Sequence, residues 1–389
     1  MPITERWLLP EGVDEILPEE AENIESARRK LIDLFYSWGY ELVIPPLIEY
    51  LESLFTGTGT DLELQTFKLT DQLTGRLMGI RADITPQVAR ISAHRLKRKG
   101  ITRLCYIGSV LHTLPKNLGG TRNPIQVGAE LYGHKGIESD IEIIRLAIES
   151  LFQSGIEKIC LDLGHVGIFQ NIISQVRLSK AQEYVLLDIV QRKAQDEIEN
   201  ALIEYQIDSK YSKILMVLIS LHGGEEVIQE AERYLMDNEA IDALATLKKT
   251  ASAIQKYFPS LPIHFDLAEL RGYHYHTGLV FSVYTPKYGQ AIVQGGRYDG
   301  IGQNFGYAQP ATGFSIDLKK IITSYPKPYH RIYARWIEDV KFEQEVLRLR
   351  QQGEKVVYGL SDTKEDYEVL GCNRRLILED GQWKVIRIK

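Results

Sequence analysis

Several things are scarce or missing in this chain, and each excludes a class of protein. It has only three cysteines, Cys105, Cys160 and Cys372, widely spaced and with no C-x-x-C pair. That count excludes a disulfide framework and a zinc-ribbon arrangement, and it fits a reducing compartment. No apolar run approaches the about 18 residues that a membrane-spanning helix needs. Basic residues are not in excess: 46 Lys and Arg against 52 Asp and Glu leave a net charge of -6. A dominant nucleic-acid surface, which needs clustered cations to displace counterions, is therefore not expected. There are no internal repeats and no low-complexity segment. Met1–Glu5 lacks the basic stretch and apolar core of a secretory signal. A cytoplasmic location is expected.

What is present describes an ordinary soluble chain. Its 389 residues are 44% apolar and 25% charged, enough for a large core and two or three domains. Ala21, Ile24, Ala27, Leu31, Leu34, Phe35 and Trp38 recur at helical spacing, so 19–38 is predicted to be a helix stopped by Gly39. Strands are predicted at 40–44, 102–111, 124–132, 263–267, 279–284 and 291–294. A hairpin is predicted at 66–80, turning at Asp71–Gly75. Further helices are expected at 85–99 and 138–153, and a loop at 115–120. The stretch 168–257 is mainly helical in pattern, and 311–322 reads as a strand running into a helix. A break at Ser324–Pro328 precedes a strand, a helix, a second strand and a terminal hairpin turning at Asp380-Gly381. The predicted fold class is α+β, a mainly antiparallel sheet flanked by helices. The expected organisation is a core at 1–325 carrying a helical insertion at about 168–257, then a small α/β module at 329–389.

Five blocks carry the chemistry. The first is Gly39-Tyr40-Glu41-Leu42-Val43-Ile44-Pro45-Pro46. The second is Arg81-Ala82-Asp83-Ile84-Thr85. The third runs from Tyr106-Ile107-Gly108 through Gln126-Val127-Gly128-Ala129-Glu130-Leu131-Tyr132-Gly133. The fourth is Arg271-Gly272-Tyr273-His274-Tyr275-His276-Thr277-Gly278. The fifth is Gly295-Gly296-Arg297-Tyr298-Asp299-Gly300, followed by Gly313-Phe314-Ser315-Ile316-Asp317-Leu318-Lys319-Lys320. In order and spacing they resemble the class II aminoacyl-tRNA synthetase core, specifically that of histidyl-tRNA synthetase. The resemblance spans roughly residues 5–325. It implies the class II antiparallel fold and a homodimer formed through the N-terminal helix and the Gly39–Pro46 strand.

The departures from that family matter as much as the matches. Joining an amino-acid carboxylate to the α-phosphate of ATP builds charge on phosphorus, and fixed cations must stabilise it. Where the family has a motif 2 arginine, this chain has His112. Where it has a motif 3 arginine, this chain has Lys320, with Asp317 replacing a glycine. Lysine lacks the bidentate guanidinium fork, and an ordinary histidine is largely neutral at pH 7. The positions that would hold histidine are retained. By resemblance, Asp83, Thr85, Gln126 and Glu130 face the α-amino group or the ring. Arg271 faces the carboxylate, and Tyr275 and Tyr298 flank the imidazole.

Each of these residues also has a plain reading: Asp83 and Glu130 as ordinary strand carboxylates, Arg271 as a surface ion pair. His264, His274 and His276 suggest a metal, with the last two read as alternate positions on a strand. No fourth ligand stands out, and no metal or cofactor is expected. The combination resembles the regulatory subunits of ATP phosphoribosyltransferase, a family of histidyl-tRNA synthetase paralogues. That resemblance implies a non-catalytic chain needed for the first step of histidine biosynthesis. It would join a short-form catalytic subunit in a hetero-oligomer and take L-histidine as feedback effector. The alternatives are a divergent histidyl-tRNA synthetase and a synthetase-like amino-acid sensor.

Overall fold

The computed structural model describes residues 7–56, 60–115, 120–322, 330–360 and 367–388. Residues 116–119 of the expected loop, the expected break at 324–328 and the N-terminal residues before 7 lie outside these. The chain divides into two compact units, Met1–Thr323 and Ser324–Lys389.

In the first unit, the sequence pattern at 19–38 becomes a helix over Pro18–Ser37. Pro18 stands at its first position, where a missing N–H costs nothing. Gly39 ends it at φ 79°, a left-handed conformation that glycine adopts without strain. The apolar stripe turns inward: Ile24, Leu31 and Phe35 are buried, and Phe35 meets Phe314 edge-on at 6.2 Å. Burying such a side chain contributes about 1.5–3 kcal/mol. These three residues of the stripe are thus used by the chain's own core, and Ala21, Ala27, Leu34 and Trp38 are partly buried.

Among the described residues, nine strands form the main sheet. Their order is Glu41–Leu42, Thr102–Ser109, Ile125–Tyr132, Ala311–Asp317, Tyr288–Arg297, Leu279–Thr285, Cys160–His165, Ile263–Asp266 and His222–Gly223. Glu41–Leu42 runs parallel to its neighbour, and so does Cys160–His165 to Ile263–Asp266. The other pairs are antiparallel. The Phe67–Thr70 and Leu77–Ile80 hairpin forms as expected within a separate three-stranded sheet, with Asp71 accepting bonds from Thr74 and Leu73 at the turn.

Two local outcomes differ from the sequence pattern. The helix expected at 85–99 is α-helical over Thr85–Arg90, widens to a π-helical turn over Ile91–Leu96, and stops at Lys97 with φ 47°. Cys160–His165 is a central strand that the pattern left unassigned; Asp162 and Gly164 interrupt its apolar signal. The stretch 168–257 is mainly helical, as expected, and packs into the core of the first unit. Phe169, Leu186, Leu215, Leu247 and Ile254 belong to the same continuous core as Val127, Leu163 and Phe314.

The second unit has a four-stranded sheet in the order Lys355–Gly359, Arg331–Arg335, Cys372–Glu379, Gln382–Arg387. The helix Val340–Gln351 is capped by Asp339, whose carboxylate accepts from the Phe342 N–H at 2.8 Å. Ile332, Phe342, Val346, Leu349 and Leu376 form its core. Asp380 and Gly381 both have positive φ, 51° and 73°, which matches a two-residue hairpin turn.

Candidate functional site

A cavity of about 870 Å³ opens over the main sheet. The antiparallel register builds its floor. Gln126, Gly128 and Glu130 alternate on one face and lie opposite Asp317, Ser315 and Gly313 of the neighbouring strand. The glycines keep the floor open. A Cβ on Gly313 would overlap a Glu130 carboxylate oxygen, and one on Gly128 would overlap the Tyr106 hydroxyl.

Glu130 is the centre of a hydroxyl ring. It is 1% exposed. One oxygen accepts from Thr85 Oγ1 and from Tyr106 Oη, each at 3.1 Å; the other accepts from Tyr298 Oη. Burial pushes its carboxyl up to about 8, against the pull of the three hydroxyls. Beside it, Gln126 donates to Asp83 at 2.9 Å and accepts from the Ile84 N–H at 2.8 Å. Asp83 also accepts from the Thr85 N–H at 2.8 Å. The Tyr275 ring lies 6.4 Å from Tyr298 in an edge-on arrangement. Five residues named from the sequence (Asp83, Thr85, Gln126, Glu130 and Tyr298) therefore form one bonded cluster, and Tyr275 stands at its edge.

Arg271 lines the same cavity but is held elsewhere on its wall. Its Nη2 donates to Tyr284 Oη at 2.8 Å and pairs with Glu269 at 3.1 Å. Arg297, next to Tyr298, is structural: it is buried and paired with Asp140 at 3.0 Å.

His112 and Lys320 also line the cavity. His112 is buried, and its Nε2 meets the Ala82 carbonyl at 3.0 Å. Lys320 lies close enough to Asp317 to pull its carboxyl down, while burial raises it more. The nearby Arg122 is tied to backbone carbonyls, through Nε to His112 at 3.0 Å and through Nη1 to Glu11 at 3.0 Å.

The histidine triad weighed for metal does not assemble. His274 and His276 lie in a turned segment, because Gly272 at φ 68° folds the chain back there; they are not on a strand. His274 stacks on Tyr184, with ring centroids 6.0 Å apart. His276 is buried against the Arg297 carbonyl, and burial lowers its imidazole to about 4.

Sequence reasoning missed Tyr106, Glu269 and Tyr284. It also missed the wall contributed by the helix Lys180–Gln191, through Tyr184, Leu187, Asp188 and Gln191. Tyr106 was visible as an alternate position on a predicted strand. The other contacts depend on tertiary packing.

Comparison with known proteins gives the family. A family model described as histidyl-tRNA synthetase covers residues 12–321, and one described as the ATP phosphoribosyltransferase subunit HisZ C-terminal domain covers 329–386. An ATP phosphoribosyltransferase regulatory subunit from Nitrosococcus oceani is 63% identical, over 100% of this chain and 99% of that protein. The chain belongs to the ATP phosphoribosyltransferase regulatory subunit family. Among solved structures, an ATP phosphoribosyltransferase regulatory subunit/histidyl-tRNA synthetase from Bacillus halodurans superimposes with a TM-score of 0.84. It is 26% identical, over 95% of this chain and 96% of that one. A histidyl-tRNA synthetase from Nostoc sp. PCC 7120 gives a TM-score of 0.78 at 17% identity, over 98% of this chain and 97% of that one, and shares the fold. The resemblance read from the five blocks is therefore borne out. In this regulatory-subunit family member, the short C-terminal module has its own family match, distinct from the synthetase core. No helix among the described residues is long and apolar enough to cross a membrane.

Proposed function

We propose that this chain is the histidine-sensing regulatory subunit of an ATP phosphoribosyltransferase, required for the first step of histidine biosynthesis and without synthetase activity of its own. Its partner is the short-form catalytic subunit, and its effector is L-histidine. The observation that carries the reading is what the cavity keeps and what it lacks. It keeps a buried carboxylate ringed by hydroxyls. It has a backbone-bound histidine and an acid-flanked lysine where a synthetase needs arginines. A ligand ammonium beside Glu130 would return that carboxyl to its ionised form, and the tyrosines would enclose the ring. Satisfying buried polar groups in this way gives sharp discrimination between ligands.

The test is reconstitution. The short catalytic subunit is assayed for phosphoribosyl-ATP formation alone and with this chain, each with and without L-histidine. Histidine is expected to inhibit strongly only when this chain is present. Inhibition that is the same in its absence would rule the reading out.

A homodimer through the N-terminal helix and the Gly39–Pro46 strand belongs to the same proposal. Ile44, Leu47 and Ile48 are 82%, 50% and 44% exposed along one stretch of chain. Self-association is the common way to cover such a stretch. Light scattering on the isolated chain should give a dimer mass, and Ile44→Asp with Ile48→Asp should shift it to monomer. A monomer at micromolar concentration in the unaltered chain would remove this part.

A further inference from the structure

Arg271 is assigned to the ligand carboxylate, yet another carboxylate already occupies it. Glu269 is 8% exposed. One of its oxygens accepts from the Arg271 backbone N–H at 3.0 Å, and the other pairs with Arg271 Nη2 at 3.1 Å. The same nitrogen donates to Tyr284 at 2.8 Å. The Arg271 side chain is half-exposed on the cavity wall.

Glu269 does not stand alone. Oxygens of Asp162, Asp266 and Glu269 all lie within 4.8 Å of one another. Lys193 reaches this group from the helical region, 2.8 Å from Asp266. Three carboxylates thus share two cations, Lys193 and Arg271. The shortage is felt: burial first, then Asp266 and Glu269, push the Asp162 carboxyl up to about 7. A ligand carboxylate that takes Arg271 through Nε and Nη1 competes with Glu269 for the same positive charge, and one that draws Nη2 away leaves a buried anion beside two others. Such a stranded charge opposes binding.

We infer that Glu269 is an internal competitor for the ligand carboxylate and sets the histidine concentration at which the cavity fills. This rests on the histidine reading of the same site. Competition reverses the usual sign of a site mutation. Glu269→Gln keeps an oxygen for the Arg271 N–H and removes the charge that holds the guanidinium, so it should strengthen binding.

The experiment is calorimetry on the full chain with two probes, L-histidine and its alcohol analogue L-histidinol, which has no carboxylate and no need of Arg271. Glu269→Gln is expected to bind L-histidine roughly three- to tenfold more tightly. Its affinity for L-histidinol should be unchanged or weaker, whereas a merely structural effect would move both ligands together. If Glu269→Gln does not fold, Tyr284→Phe removes the other anchor of the same nitrogen and leaves every charge in place. It should tighten histidine binding by a smaller factor. A chain that binds histidine normally but whose variants bind it no tighter, or tighten both probes in parallel, overturns the competitor role alone. An unaltered chain that binds no histidine overturns the sensor reading, and this inference with it.

Discussion

Purified chain incubated with L-histidine, ATP and labelled pyrophosphate is expected to give no histidine-dependent exchange above background. Adenylation needs positive charge delivered to the α-phosphate as its negative charge grows. Removing one preorganised donor of this kind typically costs about 10²–10³ in rate. Two are altered here, so a residual rate lower by about 10⁴ or more is expected if their effects combine. The geometry makes the loss larger than the substitutions alone suggest. His112 could in principle have offered a proton to phosphate, but its Nε2 is turned to the Ala82 carbonyl. Arg122 could have replaced a missing arginine from nearby, but its guanidinium holds the His112 and Glu11 carbonyls. Lys320 lies beside Asp317, a poor arrangement for delivering positive charge to a phosphate. Restoring arginine at 112 and 320 should recover little, because Asp317 would remain to repel a phosphate. Exchange at the rate of a working synthetase would contradict the regulatory assignment.

The sequence was most legible where a single local rule dominates. The Pro18–Ser37 helix follows from 3.6-residue periodicity with a proline start and a glycine stop. The Asp380-Gly381 hairpin follows from turn chemistry. It was least legible where packing decides. Cys160–His165 carries Asp162 in a central strand, close to Lys193 and Arg271 from distant parts of the chain, a juxtaposition that only tertiary packing makes. His274 and His276 looked like strand neighbours until Gly272 turned the backbone. The candidate site divides in the same way. Asp83, Thr85, Gln126 and Glu130 could be read from motif order, and antiparallel register brings them together. That Glu269 and Tyr284 would hold Arg271 could not be read, because the contact joins a turn to a strand and no spacing rule connects them.

The second large effect is expected from Arg271→Ala. A charge-assisted contact to a ligand carboxylate is worth about 1.5–3 kcal/mol, so calorimetry should show L-histidine binding weakened roughly ten- to a hundredfold. The part of that contact already spent on Glu269 in the empty site lowers the net loss toward the smaller figure. The consequence for regulation follows from linkage. A bound histidine can change a partner's activity only if it binds the active and inactive states of the complex with different affinity. A coupling of about 1–3 kcal/mol gives several-fold to hundredfold control. Reciprocity also requires that, if adding the catalytic subunit changes the histidine affinity of this chain, histidine changes the affinity between the subunits by the same factor. With Arg271→Ala in the reconstituted complex, the histidine inhibition curve should move to higher concentration by the factor measured for binding. If the curve does not move while binding weakens, the inhibiting histidine sits at another site, and this cavity serves some other ligand.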